Sequence, residues 1–165
     1  MDAAPFLAEV ARELNAVRLD VVLIGNAAAA LQGAPVTTVD FDFLFRKTPC
    51  NMAKLRTLAD ALDATVMRPY YPVSDLFRVV RDRDGLQLDF MATIHGVRSF
   101  AGLRDRASVI QVGGQSLAVA ALEDIIRSKR AARRPSDLAV LPILEKALEQ
   151  ASKPPREARR RPAGE

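Results

Sequence analysis

The sequence has no tryptophan, a single cysteine and a single histidine, and aromatic residues make up only 5% of its 165 positions. The lone Cys50 excludes an internal disulfide and a cysteine-rich zinc site. With Pro49 before it and no base nearby in sequence, it reads as inert. His95 has no second histidine to work with and reads as an exposed or structural side chain. No apolar run approaches the roughly 20 residues that span a bilayer, so no membrane partner is expected. The opening stretch, MDAAPFLAEVARELN, carries acids where a secretory leader carries bases, and a cytoplasmic protein is expected.

What is present is a core. The chain is 49% hydrophobic, enough for one ordinary domain at this length. With few aromatics, its volume must come mainly from Leu, Val, Ile and Ala. The formal net charge is +4 and the sequence pI about 9.6, a balance that invites a nucleic-acid partner. The charge is unevenly placed. The last 15 residues, ASKPPREARRRPAGE, hold five bases and two acids, leaving +1 for residues 1–150. Residues 1–150 are expected to fold, and 151–165 to form a disordered basic tail.

Apolar spacing predicts a helix over 6–17, a buried strand over 21–24, and a short helix over 26–32 ending at Gly33. Residues 39–45 alternate strictly, placing Val39, Phe41, Phe43 and Phe45 on one face and Asp40, Asp42 and Leu44 on the other. A helix follows from about residue 51, with Met52, Leu55, Leu58, Ala59 and Leu62 inward. Strands over 76–81 and 86–91 flank the turn sequence at 82–85, and strands over 107–112 and 116–120 flank Gly113-Gly114. A helix from Leu122 carries Ile125, Ile126 and Lys129 on one face. Arg134-Pro135-Ser136 interrupts it, and a last helix spans 137–150 with Leu138, Leu141, Leu144, Ala147 and Leu148 inward. The order predicts a mixed α/β (α+β) domain: a small mixed sheet flanked by helices, with helices at the C-terminal end.

Three features carry chemistry. Gly25 ends a strand and opens a helix, where backbone can approach an anion. Asp40 and Asp42 project from one strand face, about 6–7 Å apart by the rise per residue. Their repulsion asks for a cation, and paired hard oxygens suit Mg²⁺. Asp89 sits mid-strand in LQLDFM; beside the Asp40/Asp42 strand it completes a three-carboxylate site for two metal ions and phosphoryl or nucleotidyl transfer.

The run IGNAAAALQGAPVTTVDFDFLF resembles the signature of the DNA-polymerase-β-type minimal nucleotidyltransferases. The segment LEDIIRSKRAARRPSDLAVLPIL is similar to a stretch of the nucleotidyltransferase toxins of toxin–antitoxin systems, the AbiEii-like branch. The resemblance spans about residues 18–148. It implies a nucleotidyltransferase fold and a Mg²⁺-dependent transfer, with two ions, of a nucleoside monophosphate from an NTP such as ATP to a hydroxyl. The acceptor is an RNA (a tRNA end) or a protein, and an antitoxin is the implied partner. By the same resemblance Gly25 and Asn26 match the triphosphate turn, with Thr38 preceding the metal-binding pair Asp40 and Asp42. Asp89 matches the third acid, a general base. Lys129 matches a phosphate-contacting lysine, and Asp137 and Arg134 complete that motif. One position departs: Asn26 stands where the family carries Gly or Ser. It can cap the helix and donate to phosphate, but its bulk either narrows the triphosphate site or marks a relative that binds without turnover. A small-molecule, antibiotic-like acceptor is the further alternative. Arg130, Arg133 and Arg134 form either a basic face for RNA or a solvated helix end. Tyr70-Tyr71 either stack a base or turn into Pro72.

Overall fold

The structure, a computed structural model, describes residues 3–67 and 75–153. Tyr70-Tyr71 and the basic residues beyond Lys153 lie outside the described residues. The chain runs α1 (Ala4–Val17), β1 (Val21–Ile24), α2 (Gly25–Leu31), β2 (Asp40–Phe45), α3 (Pro49–Ala61) and β3 (Thr65–Met67). It continues through β4 (Leu76–Arg81), β5 (Leu86–Met91), α4 (Phe100–Arg106), β6 (Ser108–Val112), β7 (Gln115–Val119), α5 (Leu122–Ala132) and α6 (Pro135–Ser152). The described strands form one mixed sheet in the order β3-β4-β5-β2-β1-β7-β6. β2 pairs parallel with β5 and antiparallel with β1, and β1 pairs parallel with β7. The mixed α+β architecture is therefore the one expected, with C-terminal helices α5 and α6 packed on each other and α5 against α2.

The few aromatics are concentrated where the sheet is most buried. Phe43 stacks on Phe90 at 5.1 Å between ring centres, and Phe45 meets Phe90 and Phe77 edge-on at 5.9 and 6.1 Å. This ladder crosses β2, β5 and β4 and locks their register, since a one-residue slip would turn every Phe to the opposite face. Turn chemistry follows sequence closely. Gly33 (φ +91°) is the left-handed residue just past α2; its N–H reaches Ala30 O, and Ala34 N–H reaches Ala29 O. Gly113 and Gly114 (φ +56° and +78°) make the tight β6–β7 hairpin.

Several expectations need correction. Val39 is 82% exposed and precedes β2, because pairing with β5 begins at Asp40 opposite Gln87. Leu138 is 46% exposed; the inward stripe of α6 runs through Asp137, Leu141 and Leu144 instead. α6 starts at Pro135 and runs to Ser152, so the helix passes the expected boundary at residue 150. Arg133 in the left-handed region (φ 55°) ends α5, and Pro135 opens α6 at its first turn, where a missing N–H costs nothing. β3 and α4 went unread: α4 buries only Phe100 and Leu103, too few to set a period.

One buried cation ties the sheet to its helices. Arg81, 4% exposed, donates to Glu9 Oε1 and Oε2 at 2.8 and 2.9 Å, to Leu62 O at 2.9 Å and to Asp84 at 3.0 Å. It thereby joins α1, the end of α3 and the β4–β5 turn. Replacing Arg81 with Met should lower unfolding free energy by about 2–4 kcal/mol, because Glu9, Asp84 and the Leu62 carbonyl all lose their donor. Arg81→Lys should recover little of it, since an ammonium cannot serve the bidentate fork. Urea denaturation of the two variants checks both statements.

Candidate active site

The cleft is built from one end of β1, β2 and β5. Gly25 turns out of β1 with φ +70°, and a Cβ on it would lie 2.7 Å from Asp42 Oδ2. The left-handed backbone calls for glycine, and the missing side chain leaves room for the Asp42 carboxylate as it stands. The parallel pairing of β2 with β5 sets Asp42 directly beside Asp89, and Asp40 beside Gln87. Paired residues project to the same face, so Asp42 and Asp89 become neighbours although 47 residues separate them in the chain.

Two carboxylates side by side repel each other. Asp89, 7% exposed, is paired: Arg78, its antiparallel partner on β4, donates Nε to Oδ1 at 2.8 Å and Nη2 to Oδ2 at 3.0 Å. Arg78 was not singled out from sequence, although counting back through the β4–β5 turn pairs 78 with 89. Asp42 has no ion pair among the described residues. Burial, then the charges of Asp89 and Asp40, push its carboxyl up to about 6, against the pull of Lys129 and Arg134. A carboxylate held in that state binds either a proton or a cation.

The opposite wall is α5 and the α5–α6 break. Lys129 and Arg134 both line the cleft of about 300 Å³, with Gly25, Asp42, Arg78 and Asp89. Asp137, 2% exposed, accepts from Lys129 Nζ at 3.2 Å and from Arg134 Nε at 2.7 Å. Burial alone would raise its pKa, but the hydrogen bonds from Arg134 and Lys129 together with their charges outweigh that and hold it below the ordinary carboxylate range. Asp137 does not line the cleft; it positions the two cations that do. His95 is exposed at the rim. A larger groove of about 510 Å³ between α5 and α6 contains none of these residues.

The structure thus brings together Gly25, Asp42, Asp89, Lys129 and Arg134. Asp40 shares the face of Asp42 but stands outside the cleft lining. Two residues are placed differently from expectation. Thr38 faces a small apolar pocket with Val39 and Phe41; its hydroxyl donates to Asp40 O at 2.7 Å and accepts from Asp40 N–H, turning the chain into β2. Asn26 is not the helix cap. The left-handed Gly25 already begins α2, so the cap position falls on Ile24, and Asn26 lies inside the helix, outside the cleft lining, with Oδ1 buried and unpartnered. The expected three-carboxylate group is not assembled either: among the described residues no three acids, His or Cys are spaced to hold a metal, and both Asp89 oxygens face Arg78.

Over residues 4–154 the chain matches the family described as "Nucleotidyl transferase of unknown function (DUF2204)". Solved structures share the fold at low identity. The solution structure of the antibiotic-resistance factor ANT(2'')-Ia aligns with a TM-score of 0.65 at 14% identity, over 90% of this chain and 86% of its own. The lincosamide antibiotic adenylyltransferase LnuA, with lincomycin bound, aligns at 0.62 and 10%, over 89% and 98%. An antigenic nucleotidyltransferase-like protein from Paracoccidioides brasiliensis aligns at 0.55 and 15%, over 91% and 87%. At these identities the likeness is one of fold. No curated protein matches the chain.

The raised Asp42 pKa has a stability consequence with a definite sign. With the folded value near 6 against 3.8 unperturbed, the folded state holds a proton in that interval that the unfolded chain has released. Its contribution is favourable at low pH and is lost as pH rises through about 6. Asp42→Asn should therefore be more stable than the parent at about pH 8, by up to about 3 kcal/mol if the full shift of 3.8 to about 6 is relieved, and nearly equal to it at about pH 4. Denaturation midpoints at the two pH values measure the difference.

Proposed function

The chain belongs to this family of nucleotidyl transferases, and from that premise we propose that the cleft transfers a nucleoside monophosphate from an NTP to the hydroxyl of an RNA. The observation that carries the reading is Asp42: a half-buried carboxylate without an ion pair among the described residues, packed on a left-handed glycine and facing two cations across the cleft. The residues fit a divalent cation. Mg²⁺ takes one or two carboxylates together with substrate phosphates, and Asp40 and Asp42 offer that pair, with Asp89 available once Arg78 releases it. Two bound ions would neutralise triphosphate charge and acidify the attacking hydroxyl.

The chain's own groups then have distinct work. Lys129 and Arg134 offset the charge of the phosphates and stay aimed at them because Asp137 anchors both. The acceptor oxygen bonds to the α-phosphorus, the bond from that phosphorus to the bridging oxygen breaks, and pyrophosphate leaves. Asp89 takes the hydroxyl proton; for this Arg78 must swing away. The transferase domain comprises residues 1–150 and the remainder of α6.

Incubation with each labelled NTP, Mg²⁺ and total RNA, cell extract or antibiotic alcohols is the test. Transfer to RNA is expected, with Asp42→Asn slower by about 10³-fold, as for loss of a group that stabilises transition-state charge. No product with any acceptor would sink the reading. A small-molecule acceptor is the competitor, favoured by the fold shared with ANT(2'')-Ia and LnuA. An inactive nucleotide-binding protein is the other, favoured by the Arg78–Asp89 pair and the orphaned Asn26 oxygen. ATP binding by calorimetry without turnover would establish it. If the transfer serves a toxin paired with an antitoxin, induced expression should arrest growth and Asp40→Asn should restore it; normal growth of cells making the parent protein would remove the toxin role.

A further inference from the structure

Beside the cleft lies a second pocket, of about 350 Å³, lined by Gly96, Arg98, Ser99, Gly102, Arg106 and Arg127. Three of its six lining residues are arginines and none is an acid. Two of them converge because they share one anchor. Asp124, 2% exposed, accepts from Arg106 Nε and Nη2 at 2.9 and 3.0 Å and from Arg127 Nη1 at 2.8 Å. The anchored side chains nevertheless remain 50% and 57% exposed. Arg98 makes no ion pair among the described residues. No acid lines the pocket itself; Asp124 and Asp105 act on Arg106, and Arg127 also borders the α5–α6 groove with Glu123, Glu145 and Glu149. A guanidinium carries five donors in a planar fork; Asp124 takes two from Arg106 and one from Arg127.

The backbone keeps the pocket open. At Gly96 (φ +73°) a Cβ would lie 2.9 Å from Arg127 O and 3.1 Å from Ala131 Cβ, so only glycine lets this loop close onto α5. At Gly102 a Cβ would lie 3.1 Å from Ser99 Oγ and 3.3 Å from Arg106 Nη1. The pocket and the cleft share no lining residue, but they meet at the same elements. Asp124 forms part of the cleft wall while its oxygens hold the pocket's arginines, and the loop that gives His95 to the cleft gives Arg98 to the pocket.

We propose that the Arg98–Arg106–Arg127 pocket binds a backbone phosphate of a single-stranded RNA acceptor, from which the nucleotide chain runs into the cleft. Guanidinium forks match phosphate oxygens, and phosphate contacts fix the position of a strand without reading its sequence. An antibiotic alcohol carries no phosphate to fill such a pocket. The proposal rests on the reading of RNA as acceptor.

The test is fluorescence anisotropy of a labelled short single-stranded RNA with the full chain and its Arg98→Ala/Arg127→Gln double variant, in which Arg106 still holds Asp124. Affinity should fall about tenfold, as for loss of charge-assisted hydrogen bonds. The slope of log affinity against log salt should shrink by about 0.7 for each phosphate contact removed. Arg98→Ala alone, which breaks no ion pair, should move both in the same direction and so guards against a folding artefact. Equal RNA binding by parent and double variant would overturn the proposal. So would no RNA binding at all, or binding of inorganic phosphate alone. The two readings fail separately. RNA held through Arg98 and Arg127 without any transfer from ATP would remove the transferase and leave the pocket; transfer to RNA undiminished in the double variant would do the reverse.

Discussion

Everything at the cleft depends on one repulsion. Parallel pairing of β2 with β5 forces Asp42 and Asp89 side by side, and neither can turn away, because each follows the pleat of a strand whose other face holds the Phe43–Phe90 stack. The register that buries the aromatics is the same register that juxtaposes the acids. Gly25 tightens the constraint by closing backbone onto Asp42. The arrangement disfavours the ionised form of Asp42 and is held by the rest of the fold.

The surrounding structure answers that repulsion with cations held at fixed distance. Arg78 reaches Asp89 directly across the β4–β5 pair, whereas Lys129 and Arg134 lower the pKa of Asp42 through space without bonding to it. Their aim comes from Asp137. The chain break at Arg133-Arg134-Pro135 brings α6 back on α5, and Asp137 accepts from both cations. A continuous helix through residue 134 would carry Asp137 away from Lys129, since i and i+8 lie more than two turns apart along a helix. The buried acid of α6 therefore accounts for a feature that its apolar period does not.

How much of this was legible in the sequence depends on the range of the interaction. Local rules served well: the β2 alternation, the Gly33 helix end and the Gly113-Gly114 hairpin all follow from neighbouring residues. Arg78 was also within reach, since a hairpin's register can be counted from its turn. The β2–β5 pairing was not, because parallel strands joined through a helix and two further strands carry no local register signal. Two errors share one cause, a boundary displaced by a single residue. β2 starts at Asp40, which leaves Val39 in solvent, and α2 starts at Gly25, which moves the cap to Ile24 and leaves Asn26 inside the helix. Periodicity locates an element but not its first residue.

Charge is best understood locally. Near the cleft, Asp89, Asp124 and Asp137 are each buried, and each is matched by one or two guanidinium or ammonium groups. A buried carboxylate with such partners fixes where those cations point. Asp42 differs from the other acids of the cleft wall in having no ion pair among the described residues, and burial with the charges of Asp89 and Asp40 raises its pKa to about 6. A residue-level tally of acids and bases would call this region neutral. The geometry instead separates it into cations anchored by buried acids and a carboxylate, Asp42, that has no ion pair among the described residues. That separation, and not the net charge of the chain, is what the proposed triphosphate would meet.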